Sequence, residues 1–263
     1  MPVLTLTTDW NQQDYYTGAV KGKILTSCPD ATVVDISHQI QPFNLSQAAF
    51  VLRNSCFHFP PGTVHLIGVQ ALPEPGKGFL IVRAGGHFFL SADNGIFGLL
   101  LHNEPEKVVM IPVNDPPDKS PLEQVLELTG YACELMKGTD PAILGEVVES
   151  FEKRTPMRAT IDESVINGSV IYVDSYRNAI TNISEELFRR VSKERPYEIL
   201  VQSNYFKIKT VSKTYSDAPE GEMLALFNSL GLLEIAIHNG NASELLNLKV
   251  GSTVRVRFSD RKM

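Results

Sequence analysis

The chain has 263 residues, enough to bury a substantial core in one large domain or two moderate ones. Hydrophobic residues make up 43% and charged residues 21%, as in an ordinary globular protein. A formal net charge of −6 argues against nucleic acid or an anionic membrane surface as partner, because both want a basic face.

Val3–Thr7 reads as an apolar and threonine-rich strand. The first residues enter it at once, without the basic segment and long apolar run of a signal peptide, and no apolar stretch reaches bilayer-spanning length. Tyr15–Ser27 follows with helical spacing, and Asp14 is placed to cap it. Thr32–Ile36 is a short β-branched strand, Leu45–Phe57 a second helix and Thr63–Val69 a third strand, a succession that predicts a mostly parallel α/β sheet. Phe79–Arg83 and His87–Leu90 flank Ala84-Gly85-Gly86 as a hairpin. Pro121–Lys137 reads as a helix that opens on proline and ends before Gly138. Beyond residue 150 the pattern changes to short β-type runs, Val165–Val173, Glu198–Val201, Phe206–Val211, Met223–Phe227, Leu232–Ile237 and Thr253–Phe258. The expected architecture is an α/β domain over residues 1–150 and a small β-barrel or sandwich domain over residues 160–263, divided by the polar segment Glu146–Arg158. Cys28, Cys56 and Cys133 are odd in number and lack C-x-x-C spacing, so they read as buried free thiols of a cytoplasmic protein.

Chemistry is carried by five polar segments at strand ends. In Thr8-Asp9-Trp10-Asn11-Gln12-Gln13-Asp14, a carboxylate can accept both hydroxyls of a vicinal diol, which suits Asp14 to a ribose; turn formation and helix capping explain the same acids. Asp35-Ile36-Ser37-His38 offers either an acid–base histidine or a hydrogen-bonded structural one. No partner at metal-ligand spacing accompanies it, so no metal is expected. Ser91-Ala92-Asp93-Asn94-Gly95 is a tight polar turn, and Asp174-Ser175-Tyr176-Arg177-Asn178 with Thr181-Asn182 places hydrogen-bonding side chains at the end of an apolar strand. Asn228-Ser229-Leu230-Gly231 opens onto a strand whose single acid is Glu234. No glycine-rich dinucleotide or phosphate loop is present.

In order, these segments resemble the S-adenosylmethionine (SAM) hydroxide adenosyltransferases, whose relatives include SAM-dependent halogenases. Residues 8–14 resemble T-D-F-G-x-x-D, and Tyr16–Gly22 resembles Y-x-G-x-x-K-G. Val34–His38 resembles V-D-I-T-H, Phe59–His65 resembles F-P-x-G-T-V-H, and Ala92–Gly95 resembles P-D-N-G. Asp174–Asn182 resembles D-x-F-G-N-x-x-T-N and Asn228–Ala236 resembles N-S-x-G-x-L-E-I-A. The resemblance implies a homotrimer with its nucleoside pocket at the subunit interface. Asp14 would hold the ribose hydroxyls, Asp174 and Ser229 the methionine end, and Asn178 the adenine, on which Tyr176 can stack. Asp9 belongs to the same pocket, and Glu234 and Ala236 complete the implied substrate contacts. Arg177 stands where the family has glycine.

The reaction so implied takes SAM as substrate and needs no cofactor: water attacks C5′ and gives adenosine and methionine. The family activates water with an Asp-Arg-His set from V-D-P-G-V-G-T-x-R and F-H-G-R-D. Here, counting without gaps from His65, the Asp becomes Gln70 and the Arg becomes Lys77; counting back from Gly138, the His becomes Glu123. Either Gln70 orients water while Glu123, steadied by Lys77, takes its proton, or the pocket binds SAM or adenosine without turning it over.

Overall fold

The computed structural model describes residues 2–114 and 118–259, and the chain divides into two compact units, residues 1–156 and 157–263. In order, the first unit runs β1 (Val3–Thr8), α1 (Tyr15–Ser27), β2 (Thr32–Ser37), α2 (Leu45–Arg53), β3 (Val64–Gly68), β4 (Phe79–Ala84), β5 (His87–Ala92), α3 (Ile96–Leu100), β6 (Lys107–Ile111), α4 (Pro121–Met136), α5 (Pro141–Leu144) and β7 (Glu146–Val147). Its sheet has the order β2-β1-β3-β5-β4-β6-β7.

Helices cover both faces of this sheet, and strand side chains alternate between two cores. Leu66, Phe79 and Ile81 pack with Val20 and Ile24 of α1 and Val125 and Leu128 of α4. Their neighbours Ile67, Leu80 and Val82 pack with Ala48 and Leu52 of α2 and Phe97 of α3. Burial on both faces is why these strands read as unbroken apolar runs, each full side chain contributing about 1.5–3 kcal/mol. Asp14 caps α1 by accepting the Tyr15 N–H.

The expectation of a mostly parallel sheet needs correction. The β2-β1-β3-β5 half is parallel, but β4, β6 and β7 pair antiparallel. Gly85 and Gly86, with φ of 58° and 78°, turn the chain tightly and send β5 back along β4. The free-thiol reading is corrected too. Packing of α1 against α4 brings the Cα atoms of Cys28 and Cys133 to 5.7 Å, and the two are joined by a disulfide. Cys56 stays free, and burial pushes its thiol up to about 11, leaving it unreactive at neutral pH. No described helix is long and apolar enough to cross a membrane.

The second unit runs β8 (Thr160–Asp162), β9 (Val165–Val173), β10 (Ala179–Ser184), α6 (Glu185–Ser192), β11 (Tyr197–Val201), β12 (Phe206–Ile208), β13 (Val211–Ser212), β14 (Met223–Phe227), β15 (Leu232–Ile237), α7 (Ala242–Leu245) and β16 (Thr253–Phe258). Strands follow the path β12-β11-β16-β9-β10-β15-β14-β13, with β8 on β9, and β12 approaches β14, so the sheet curls nearly into a barrel. Ser184 caps α6, whose Phe188 meets Tyr197, Phe227 and Phe258 edge-on. All three of its apolar residues, Leu187, Phe188 and Val191, pack on the core.

One buried chain in the first unit titrates. His65 Nδ1 lies 2.7 Å from the Thr5 hydroxyl, its Nε2 lies 3.1 Å from His87 Nδ1, and its ring stacks on Phe89. Burial, helped by His87, lowers the His65 pKa from 6.5 to about 3. Inside that window the unfolded chain binds a proton that the folded chain refuses. Stability therefore falls as the pH drops, by up to about 1.4 kcal/mol per pH unit. Urea melts of His65→Gln should show a shallower loss than wild type between about pH 6 and pH 4. Equal slopes would place the acid sensitivity elsewhere.

Candidate active site

From β1 the chain passes through α1 to β2 on one side, and then crosses through α2 to β3 on the other. The loops after β1 and β3 therefore part at the carboxyl ends of the strands, where α/β sheets place their ligands. A cavity of about 300 Å³ opens there, lined by residues from the loops after β1, β2 and β3 and from the starts of α1 and α4.

Asp9 organises this end. Its Oδ2 accepts the Phe43 N–H at 2.9 Å and the Gln70 N–H at 3.2 Å, tying the loop after β2 and the loop after β3 to the end of β1. Asn94 braces the second loop from below: buried, it donates its amide to the carbonyls of Val69 and Gln70 and accepts the Ile96 N–H. The sequence shows Asn94 only as a turn residue; here it fixes the backbone of a predicted catalytic one. Around the acids stand Trp10, Tyr16 and Phe43, with Leu72 and Val125. Trp10 presses on Gly68, where a Cβ would fall 2.3 Å from the indole, so only glycine ends β3 without moving the ring.

His38 belongs to the scaffold. Buried, it meets the Thr8 hydroxyl through Nδ1 at 2.8 Å and Asp35 through Nε2 at 3.1 Å. Burial works to raise the Asp35 carboxyl, yet Lys21 and His38 together hold it below its ordinary value.

The structure gathers Asp9, Asp14 and Gln70 on one cavity and leaves Lys77 and Glu123 off it. Lys77 is clamped between Glu74 at 3.0 Å and Glu152 at 2.7 Å. Glu123 lines a separate cleft between α1 and α4 and completes a capping box, its Oε2 accepting the Ser120 hydroxyl and N–H. Those two bonds hold its carboxyl below its ordinary value. The expected trio Gln70, Lys77 and Glu123 is thus not assembled in this cavity.

In the second unit Asp174 and Asn178 close the β9–β10 turn on each other: Asp174 accepts the Asn178 N–H and amide, and Asn178 is buried. Tyr176 stands 80% exposed at the tip, free to offer a ring face. Arg177 adopts φ 68°, the left-handed conformation that explains a glycine preference there. Ser229 is exposed on the β14–β15 turn. Glu234 and Ala236 are buried on β15, which makes direct ligand contact the poorer description of both. Among the described residues no group of three or more His, Cys, Asp or Glu side chains is placed to hold a metal ion.

Residues 4–145 match the SAM hydroxide adenosyltransferase N-terminal domain, and residues 168–255 match the C-terminal domain of the same family. The chain is a SAM hydroxide adenosyltransferase family member. Within that family it is 29% identical to the (R)-S-adenosyl-L-methionine hydrolase of Methanocaldococcus jannaschii, over 94% of this chain and 93% of the relative. It is 30% identical to the hydrolase of the same name from Thermus thermophilus, over 94% and 96%. A fluorinase from Actinopolyspora mzabensis is 24% identical over 98% of both chains. Among solved structures, a conserved protein of Thermotoga maritima superposes with a TM-score of 0.84 at 26% identity, covering 97% of this chain and 99% of the other.

Trp10 is the single tryptophan of this family member, so its fluorescence reports the cavity directly. Gly68→Ala should displace the indole, shift its emission to the red and cost about 1–3 kcal/mol in a urea melt. Unchanged emission would show that the contact does not constrain the ring.

Proposed function

We propose that the chain hydrolyses SAM, with water attacking C5′ to give adenosine and methionine. The O–C5′ bond forms as the C5′–S bond breaks, and its electron pair neutralises the sulfonium, so methionine leaves as a neutral thioether without an acid. One proton must be removed from the water, and positioning that water in line is the main task of the protein. The observation that carries this reading is the Asp9–Asp14–Gln70 cavity at the strand switch point of a family member. Asp14 spends one oxygen, Oδ1, on the Tyr15 N–H and keeps the other for a ribose diol. Trp10, Tyr16 and Phe43 supply faces for the nucleoside.

In place of the family's water-activating set, the Gln70 amide orients the water and Asp9 takes the proton. Asp9 Oδ1 carries no hydrogen bond from any described residue. Glu123 as base with Lys77 as its support is the less favoured assignment, because both side chains are committed to partners off the cavity. The reading includes a homotrimer, in which Asp174, Asn178 and Ser229 of a neighbouring copy complete the pocket, as the family resemblance implies. The same commitments of Lys77 and Glu123 favour, as second reading, a pocket that holds SAM or adenosine without turnover.

Incubation with SAM should release adenosine and methionine above the protein-free rate, measured by chromatography. Asp9→Asn, which keeps a loop-bracing oxygen but loses the charge, should cut kcat by about 10²–10⁴-fold. Glu123→Gln should leave kcat within about twofold, as expected of a surface cap. A large loss in Glu123→Gln with Asp9→Asn unaffected would reverse the assignment. Saturable binding of SAM without product would establish the second reading, and a monomeric mass by light scattering would remove the shared pocket. Asp14→Ala should weaken adenosine binding and, with its cap lost, reduce stability by about 1 kcal/mol.

A further inference from the structure

We propose that Tyr215 is a positioning residue for the amino-acid end of the ligand, acting through Glu234 and Asn228 on the turn that presents Ser229. This inference rests on the SAM reading above and names a residue that lies outside all the family-like motifs.

Glu234 is a buried acid. It sits in the middle of β15, paired with Ile180 of β10 on one side and Leu226 of β14 on the other, and is 2% exposed. A carboxylate so placed needs hydrogen-bond donors. Its donors are the Tyr215 hydroxyl to Oε1 at 2.7 Å and the Asn228 amide to Oε2 at 3.0 Å. The second bond fixes which way the Asn228 side chain faces. Its Oδ1 is thereby turned to accept the N–H groups of Leu230 at 3.0 Å and Leu232 at 3.2 Å. Gly231, at φ 67°, closes the turn by donating to the Asn228 carbonyl. Ser229 rides at the tip, and its hydroxyl makes no hydrogen bond with any described residue.

Tyr215 is itself held. Asp217 accepts the N–H groups of Lys213 and Thr214 and the Thr214 hydroxyl, winding a single turn over Tyr215–Asp217 that aims the ring at β15. Burial, then Glu234, then the nearby Asp174 push its hydroxyl well above the ordinary phenol value, so the donated proton stays on oxygen. Asp174 is the other residue whose resemblance implies contact with the methionine end. Tyr215 is thus joined through Glu234 to the turn that carries Ser229, and its hydroxyl also feels the charge of Asp174.

The role is separable from mere stability. Calorimetric titration of the full chain with SAM and with adenosine tests it, because adenosine lacks the amino-acid end. Tyr215→Phe should raise the Kd for SAM about tenfold and leave that for adenosine unchanged. Asn228→Ala, which removes the last link, should do the same. Hydrogen exchange read by mass spectrometry should speed up in the peptide spanning residues 228–232 in Tyr215→Phe, whether or not ligand is present. An equal loss for both ligands, or no loss for SAM, overturns the proposal while leaving the SAM pocket standing. Wild-type protein that binds neither compound overturns the pocket itself, and the ligand role of Tyr215 with it.

Discussion

The Asp9 carboxylate is the constraint on which the first unit's cavity depends. Both of its donors, the N–H groups of Phe43 and Gln70, belong to non-glycine residues in the left-handed region, at φ 64° and 46°. Such residues cost of order 1–3 kcal/mol each and persist only where the surroundings over-determine them. Hydrogen bonds to an ionised acceptor are about twice as strong as neutral ones, so one anion offsets two strained turns at once. Because those turns carry Phe43 and Gln70, the charge that shapes the cavity also sits in its wall. The proposed proton acceptor is consequently anchored through one oxygen and open through the other.

Much of this was legible in the chain. Apolar strand runs, the Asp14 cap and the Gly85-Gly86 hairpin led directly to observed elements, because each is a local decision of backbone and burial. Asp9 and Asp14 stood out by their place after the first strand and by their likeness to T-D-F-G-x-x-D, since turn formation and helix capping alone explain acids there equally well. What stayed hidden depends on distance or on conformation. Glu152 reaches Lys77 from 75 residues away, and nothing near either residue announces the pairing. The positive φ of Phe43 has no signature in a residue that is not glycine. Ser120-Pro121-Leu122-Glu123 carries the S-x-x-E pattern of a capping box, and the structure uses it as one; family position and local signature pointed different ways, and local physics prevailed.

The two units solve the same problem differently. In the first, charge is gathered at the ends of parallel strands, where it can meet a ligand. In the second, Glu234 is buried mid-strand and spends its hydrogen-bonding capacity on Tyr215 and Asn228, so its influence reaches the surface only through the turn it shapes. Of Asp9, Asp14 and Glu234, the first two keep an oxygen without a donor among the described residues.

The bond between Cys28 and Cys133 closes a covalent ring 105 residues around, within which lie β2 through β6. Asp9, Trp10, Asp14 and Tyr16 precede this ring, whereas Phe43, Gln70 and Val125 belong to it. The cavity is therefore a seam between a leading segment outside the ring and a closed loop, with α1 as the strap. Closing a loop of that size removes about 4–5 kcal/mol of chain entropy from the unfolded state, on the loop-entropy account. Where the surroundings keep both sulfurs reduced, the ring is open, and the seam is held by the pairing of β1 with β2 and β3, by the packing of α1 on α4 and by the bonds Asp9 makes across it.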